Sequence, residues 1–335
     1  MTDDLQMIFA PLRETEPGAA ERAALRRALA TPPARGARRG RAVLAVAATT
    51  VAAGIGLAVL PTDERAHPSV LRAAAAQAAD EPVPSAADLP LRYSRVRDTF
   101  TYTIARDGRS ATETATQESE AWVGPRWSGR QEAAQGHVTF GGDAELAKEF
   151  GSAEQAERSW LKPRDGAYTY GDGPLAELDP ADLPSDRDGI RATLRDGIEH
   201  NRWSPYPESR GKDTRAPGAA PIDSYITYSM LYLLTQARTT PQQRAAMLDL
   251  LAADPAARDL GTVHDAEGRI GRGVALDYPG DQFLSAANHF TVIFDPDSSE
   301  ILQWTVKPET PNRSSPERVV TVLGGGYVAR IGERP

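Results

Sequence analysis

The chain has 335 residues, no cysteine, and 46 Asp or Glu against 38 Lys or Arg, for a formal net charge of −8. The missing cysteines exclude a disulfide framework, a thiol nucleophile, a lipidated cysteine anchor and any cysteine zinc site. With 40% apolar and 25% charged residues the composition is ordinary for a globular protein, so stability has to come from a packed core.

Charge is divided unevenly: residues 1–41 hold eight Arg against five acids, net +3, which leaves 30 bases against 41 acids, net −11, in the remainder. The first segment places Leu5, Ile8, Phe9 and Leu12 at i, i+3, i+4 and i+7, one face of a short helix that stops at Pro17-Gly18. A second helical stretch, AAERAALRRALA, runs to Thr31-Pro32-Pro33. Two helices of about three turns bury too little surface to stand as a domain. The segment reads either as a partly disordered tail or as a helix pair that folds on a partner, with Leu5, Ile8, Phe9 and Leu12 as the contact face.

Residues 42–60, AVLAVAATTVAAGIGLAVL, contain no charge and follow Arg35, Arg38, Arg39 and Arg41. At ~1.5 Å per residue they reach ~28 Å, close to the ~30 Å hydrocarbon thickness of a bilayer. The spacing predicts a single transmembrane helix, and the positive-inside rule puts the N-terminus in the cytoplasm and the acidic remainder outside the plasma membrane. Two alternatives compete with an uncleaved anchor. One is a signal peptide cleaved near Ala53; the other is twin-arginine export, since Arg38-Arg39 precede the Ala-rich run. All three leave the large C-terminal part outside, where its acidity argues against direct nucleic-acid binding.

Residues 61–90 read as a Pro- and Ala-rich linker holding one short helix, Pro68 to Ala79. From Leu91 apolar residues recur with period two through Phe100, Tyr102 and Ile104 to an Asp107-Gly108 turn, which predicts a hairpin with Thr112 to Val123. Another strand pair is expected around Trp122 and Trp127-Ser128-Gly129. Helices follow: Asp143 to Ala156, then a segment capped by Ser185 or Asp186 with Ile190, Leu194 and Ile198 four apart. The stretch 222–237 is apolar on nearly all sides and too short to span a membrane, so it predicts the most buried helix; Thr240-Pro241 starts the next, which closes at Asp254-Pro255. The C-terminal third returns to strands, GTVHD, GRGVALDY, HFTVIFD, EILQWTVK and RVVTVLGGGYVARI, with a bend or bulge at Gly324-Gly325-Gly326. Strands, helices and strands again predict an α+β domain over 91–335, an antiparallel sheet with helices on one face.

No catalytic, cofactor-binding or metal-ligating set emerges. Ser159-Trp160-Leu161-Lys162 fits S-x-x-K, but its S-x-N and K-T-G partners are missing. Asp295-Pro296-Asp297 and Asp186-Arg187-Asp188-Gly189 resemble calcium loops, yet the twelfth positions hold Val306 and Gly197 in place of glutamate, so turn and cap roles are expected. His67, His137, His200, His264 and His289 are scattered without ligand spacing, and the tryptophans read as core.

The VLRAAA helix, ADLPSDRDGIRATLRDGI, the run from Thr239 to Gly271 and FTVIFDPDSSEILQW resemble actinobacterial single-pass membrane proteins of unassigned biochemical function, often encoded beside extracytoplasmic-function sigma factors. The resemblance implies an outer domain similar to the half-barrel of lipoprotein carriers, a curved antiparallel sheet closed by helices over an apolar groove. It also implies a role in envelope signalling: the outer domain binds a ligand, lipid or envelope component, and the tail engages a sigma factor or its regulator. The alternative is a membrane-tethered lipid or lipoprotein carrier. The H-x-x-x-C-x-x-C motif of zinc anti-sigma factors is missing, which puts direct sequestration of a sigma factor in doubt.

Overall fold

The computed structural model describes residues 69–125, 128–134, 136–152, 166–169, 178–200, 222–279, 288–309 and 316–335. The tail face of Leu5, Ile8, Phe9 and Leu12, the apolar run 42–60, His67 and Ser159-Lys162 lie outside the described residues, among which no helix is long and apolar enough to cross a membrane.

The first element, α1 (Ser69–Asp80), precedes a long hairpin of β1 (Leu91–Arg106) and β2 (Arg109–Val123). Its two strands pair from Arg92 with Val123 to Arg106 with Arg109 through the expected turn, where Asp107 and Gly108 take φ of 53° and 72°. The outer edge of β2 is shared by β3 (Ser128–Ala133) and β4 (His137–Gly142), and β3 pairs in turn with β5 (Gly166–Thr169). Neither β4 nor β5 is predicted by the sequence pattern. Residues 153–156 of the helix expected over 143–156 lie outside the described residues, and its described part is short. After the Asp143 cap, α2 (Ala144–Ala147) tightens into a 3₁₀ turn, Lys148–Phe150, and ends where Gly151 takes φ of 93°, a conformation closed to a continuing helix.

Three helices follow. In α3 (Arg187–Glu199) the cap is Asp186, which accepts from the Gly189 N–H at 2.8 Å. Helix α4 (Ile222–Gln236) is buried almost all round, as its lack of a polar face requires. Helix α5 (Pro241–Ala252) opens on a capping box: Thr240 Oγ1 accepts from Gln243 N at 3.2 Å, and Gln243 Oε1 accepts from Thr240 N at 2.8 Å. The chain then forms β6 (Ala257–His264), β7 (Ile270–Tyr278), β8 (Asn288–Phe294), β9 (Ile301–Pro308) and β10 (Glu317–Val328).

The ten strands among the described residues join one antiparallel, curved, open sheet in the order β5-β3-β2-β1-β10-β9-β8-β7-β6, with β4 beside β2. First and last strands lie side by side, so the two halves of the chain close on each other. A bulge at Leu323 interrupts their register, since Arg95 faces Gly324 while Val96 faces Val322. Helix α4 rests on the sheet, α3 and α5 pack on it, and α1 pairs with α5, so the helix expected inside a linker is part of the core. Phe290, Val292, Trp304, Val306 and Val320 project into that layer with Leu71, Leu194, Tyr228, Leu231 and Met247, all at most 4% exposed. A smaller core gathers Tyr102, Ala111, Leu146, Ala147 and Phe150 on the same face. The Asp98–Arg318 ion pair stands between them, with the guanidinium 5.0 to 5.7 Å from the rings of Phe100, Trp304 and Tyr228.

The other face carries ionic ladders. Arg95 and Arg97 both reach Glu118, and Tyr93 donates to Glu120 at 2.7 Å. The C-terminal tail folds back here, where Trp122 Nε1 donates to the Glu333 carbonyl at 2.6 Å and Arg334 pairs with Glu120. The β6–β7 turn also bends over this face: Asp265 gathers the N–H groups of Glu267 and Arg269, Arg269 Nη2 donates to the Val322 carbonyl at 2.7 Å, and Glu267 pairs with Arg97 of β1.

Candidate functional site

Two groups of buried polar side chains lie at opposite ends of β8. The first surrounds Tyr278, which pairs with Asn288 across β7 and β8. Its hydroxyl donates to Asp254 Oδ2 at 2.8 Å and lies 2.6 Å from Thr227 Oγ1 on α4. Since the single phenolic proton goes to Asp254, Thr227 donates to the phenolic oxygen. Burial and the Asp254 carboxylate push the Tyr278 pKa well above its ordinary value. Tyr278 thus keeps its proton at neutral pH and serves as a hydrogen-bond link, unsuited to act as a base or nucleophile. A neighbouring open cleft of about 390 Å³ is lined by Arg191, Asp223, Asp254, Asp277 and Tyr278. Its charged groups already have partners: Arg191 and Arg195 reach Asp223, at 2.8 and 3.3 Å, Arg258 and His289 reach Asp277, and Asp254 accepts from Tyr278 and from Ala256 N.

The second group lies where β1 starts, β10 ends and the β8–β9 turn meets the α4–α5 connection. Arg92 projects from the helix-covered face of β1, and its Nη2 donates to both oxygens of Glu300, at 3.2 and 3.0 Å. Arg244, one turn before Met247 and Leu248 on α5, brings Nη2 to 3.5 Å from the same carboxylate and donates Nη1 to the Leu234 carbonyl at 3.3 Å. Both arginine side chains are only 3% exposed. Arg238 and Arg92 both address the Tyr327 ring, with guanidinium carbons 5.1 and 5.2 Å from its centroid. A Cβ at Gly325 would come within 3.1 Å of Arg92 Nη2, so glycine keeps the backbone clear of the guanidinium. Burial pushes the Glu300 carboxyl up, but the charges of Arg92 and Arg244 outweigh it and hold its pKa below the usual glutamate value.

Donors exceed acceptors in this cluster. Nε of Arg92, Arg238 and Arg244, Ser94 Oγ and Thr239 Oγ1 are buried without a hydrogen-bond partner, five of the eight such atoms among the described residues. Arg92 and Arg244 share one carboxylate, and Arg238 joins them at the Tyr327 ring. The cluster is also tied to the segment after α1: Ser299 Oγ donates to Glu81 Oε2 at 2.9 Å, Arg238 Nη2 donates to the Pro84 carbonyl at 2.6 Å, and Gln77 donates to the Asp297 carbonyl.

The sequence pattern does not single out Arg92, Arg238 or Arg244. A signal for Arg244 exists: it precedes Met247, Leu248 and Leu251 by three, four and seven residues, so it stands on the apolar stripe of α5. Arg92 carries a weaker one, on the same strand face as Val96. The residues of the calcium-like fragments have local roles, Asp186 as the α3 cap and Asp295 accepting from Asp297 N at 2.8 Å. Among the described residues no group of three His, Asp or Glu converges on a point where a metal could sit. Trp122 and Trp304 are both fully buried.

No family model and no curated protein matches the chain. Among solved structures it is similar to one titled lipid-protein interactions in lipovitellin, with 8% identity over 73% of this chain and 26% of that chain and a TM-score of 0.21. An overlap at that score establishes neither a shared fold nor a shared ligand.

Proposed function

We propose that the chain is a membrane-anchored extracytoplasmic binding protein, non-enzymatic and without a cofactor, that passes ligand occupancy to its cytoplasmic tail. In this reading residues 42–60 cross the bilayer, 1–41 lie in the cytoplasm and the α+β domain stands outside, its sheet and helices arranged as a half-barrel. The outer domain binds a small ligand, lipid or envelope component, and Leu5, Ile8, Phe9 and Leu12 engage a sigma factor or its regulator.

The observation that carries this reading is the position of α1. Eight residues, 61–68, separate the apolar run from this helix, whose Leu71, Ala74 and Ala78 are buried in the main core against α5. A span joined so closely to the core has little slack, so a shift in the domain bears on the anchor. The carrier alternative needs an open apolar groove. The helix-covered face instead holds α4, with Tyr228 edge-on to Trp304 at 5.2 Å, so a lipid chain would have to displace that helix.

Affinity purification of the detergent-solubilised full-length chain, beside one lacking residues 1–30 but keeping the arginines and the span, tests the proposal. A sigma factor or regulator recovered only with the full-length form is expected. The paired substitutions Ile8→Asp and Phe9→Asp should abolish that recovery while membrane insertion is unchanged. Equal recovery of envelope proteins by both forms would overturn the signalling role.

A further inference from the structure

We propose that the Arg92, Arg238 and Arg244 cluster is a binding site for a phosphate-type oxyanion, either free or presented by a lipid headgroup. The inference rests on the outer domain being a binding module and names the class of its ligand. Guanidinium groups do not deprotonate in proteins, so Arg92 and Arg244 on the one Glu300 carboxylate leave positive charge uncompensated at a place where both are almost wholly withdrawn from water, and Arg238 adds a third guanidinium at the Tyr327 ring beside Arg92. A phosphate group carries about −1.5 to −2 at neutral pH and three strong acceptor oxygens, so it offers these donors more charge and more acceptors than a second carboxylate would.

Hydrogen-bond chemistry agrees with the charge balance. The three unpartnered Nε–H groups are planar donors of the kind that grip tetrahedral oxyanions, and the Ser94 and Thr239 hydroxyls can add to them. Ser94 lies two residues beyond Arg92 on the same face of β1, and Thr239 follows Arg238, so both belong to the walls that carry the arginines. Glu300 is the competitor, holding Arg92 through two oxygens and Arg244 through one. An incoming phosphate therefore has to share these cations with Glu300, whose neighbour Ser299 is bonded to Glu81 just beyond α1. A polynucleotide phosphate is a poor fit, because an outer region of net charge −11 repels a polyanion.

The test uses the full-length chain in neutral detergent, with thermal unfolding followed at constant ionic strength in chloride, in about 10 mM inorganic phosphate, or in about 10 mM dihexanoyl phosphatidic acid. One of the two probes is expected to raise the unfolding midpoint. A response to phosphate identifies a free oxyanion as sufficient, and a response to the short-chain lipid alone assigns the site to a headgroup. Arg238→Gln, at the half-buried arginine, should weaken binding about tenfold, whereas Glu300→Gln should tighten it by removing the competing carboxylate. No midpoint shift with either probe, unchanged binding in Arg238→Gln, or weaker binding in Glu300→Gln would overturn the proposal. Tail partners are read by the purification experiment, so loss of the anion site and loss of the signalling role give different results.

Discussion

The two polar groups at the ends of β8 solve the same problem in different ways. Around Tyr278 every proton has an acceptor: Thr227 donates to the phenol, the phenol donates to Asp254, and α4 is tied to the end of β7. Around Glu300 one carboxylate serves two buried arginines, and Nε atoms remain over. Neutral hydroxyls can close a network inside the chain because each both gives and accepts; guanidinium only gives. A cluster of arginines therefore stays incomplete until enough anionic oxygen is supplied. The first group reads as structure and the second as a place for something else.

Substitution at Tyr278 should have the largest effect and would sharpen the contrast most. Tyr278→Phe leaves Asp254 and Thr227 without their shared partner and should lower stability by about 2 kcal/mol in urea unfolding. A loss below about 0.5 kcal/mol would mean that the network is not closed and that the two sites are alike.

An intermediate effect is expected from acid. Since the folded-state pKa of Glu300 is lowered, its contribution is fully present above the ordinary glutamate value of about 4.3 and is lost as pH falls through the lower folded value. The Glu300→Gln variant should therefore show a flatter loss of stability below about pH 4.3 than the wild-type chain. Parallel acid limbs would show that Arg92 and Arg244 do not hold this carboxylate ionised.

The smallest change is expected where charge is in surplus. Arg244→Met should stay within about 1 kcal/mol of wild type, or exceed it, because a buried cation lacking a full partner is replaced by an apolar side chain of similar reach. A loss of about 3 kcal/mol or more would instead show that Arg244 is fully compensated within the chain, which breaks the comparison and removes the case for an anion site.

Much of the fold is legible in the sequence. The largely apolar run 222–237 marked the central helix, Thr240-Pro241 its successor, and Asp107-Gly108 the long hairpin, because each signal is contained within a few residues. The helix expected over 143–156 is interrupted at Gly151, where a positive φ overrides a favourable local pattern. Strands β4 and β5 leave no sequence signal, since HVTFGG and GAYT have too few alternating positions to stand out, and edge pairing on β2 and β3 makes them strands.

By itself the sequence determined the class of the domain, its main helices and hairpins, the division of charge between 1–41 and the remainder, and the apolar run between them, all properties of composition and short-range periodicity. Tertiary structure alone decided that β1 pairs with β10, that the C-terminal tail returns to Trp122, and that Arg92 and Arg244 meet on Glu300 with Arg238 beside Arg92 at Tyr327. Those residues lie up to 208 positions apart, and no periodicity records a meeting at that range; it follows from closing the sheet, which brings the first strand, the last strand and the helix layer to one corner.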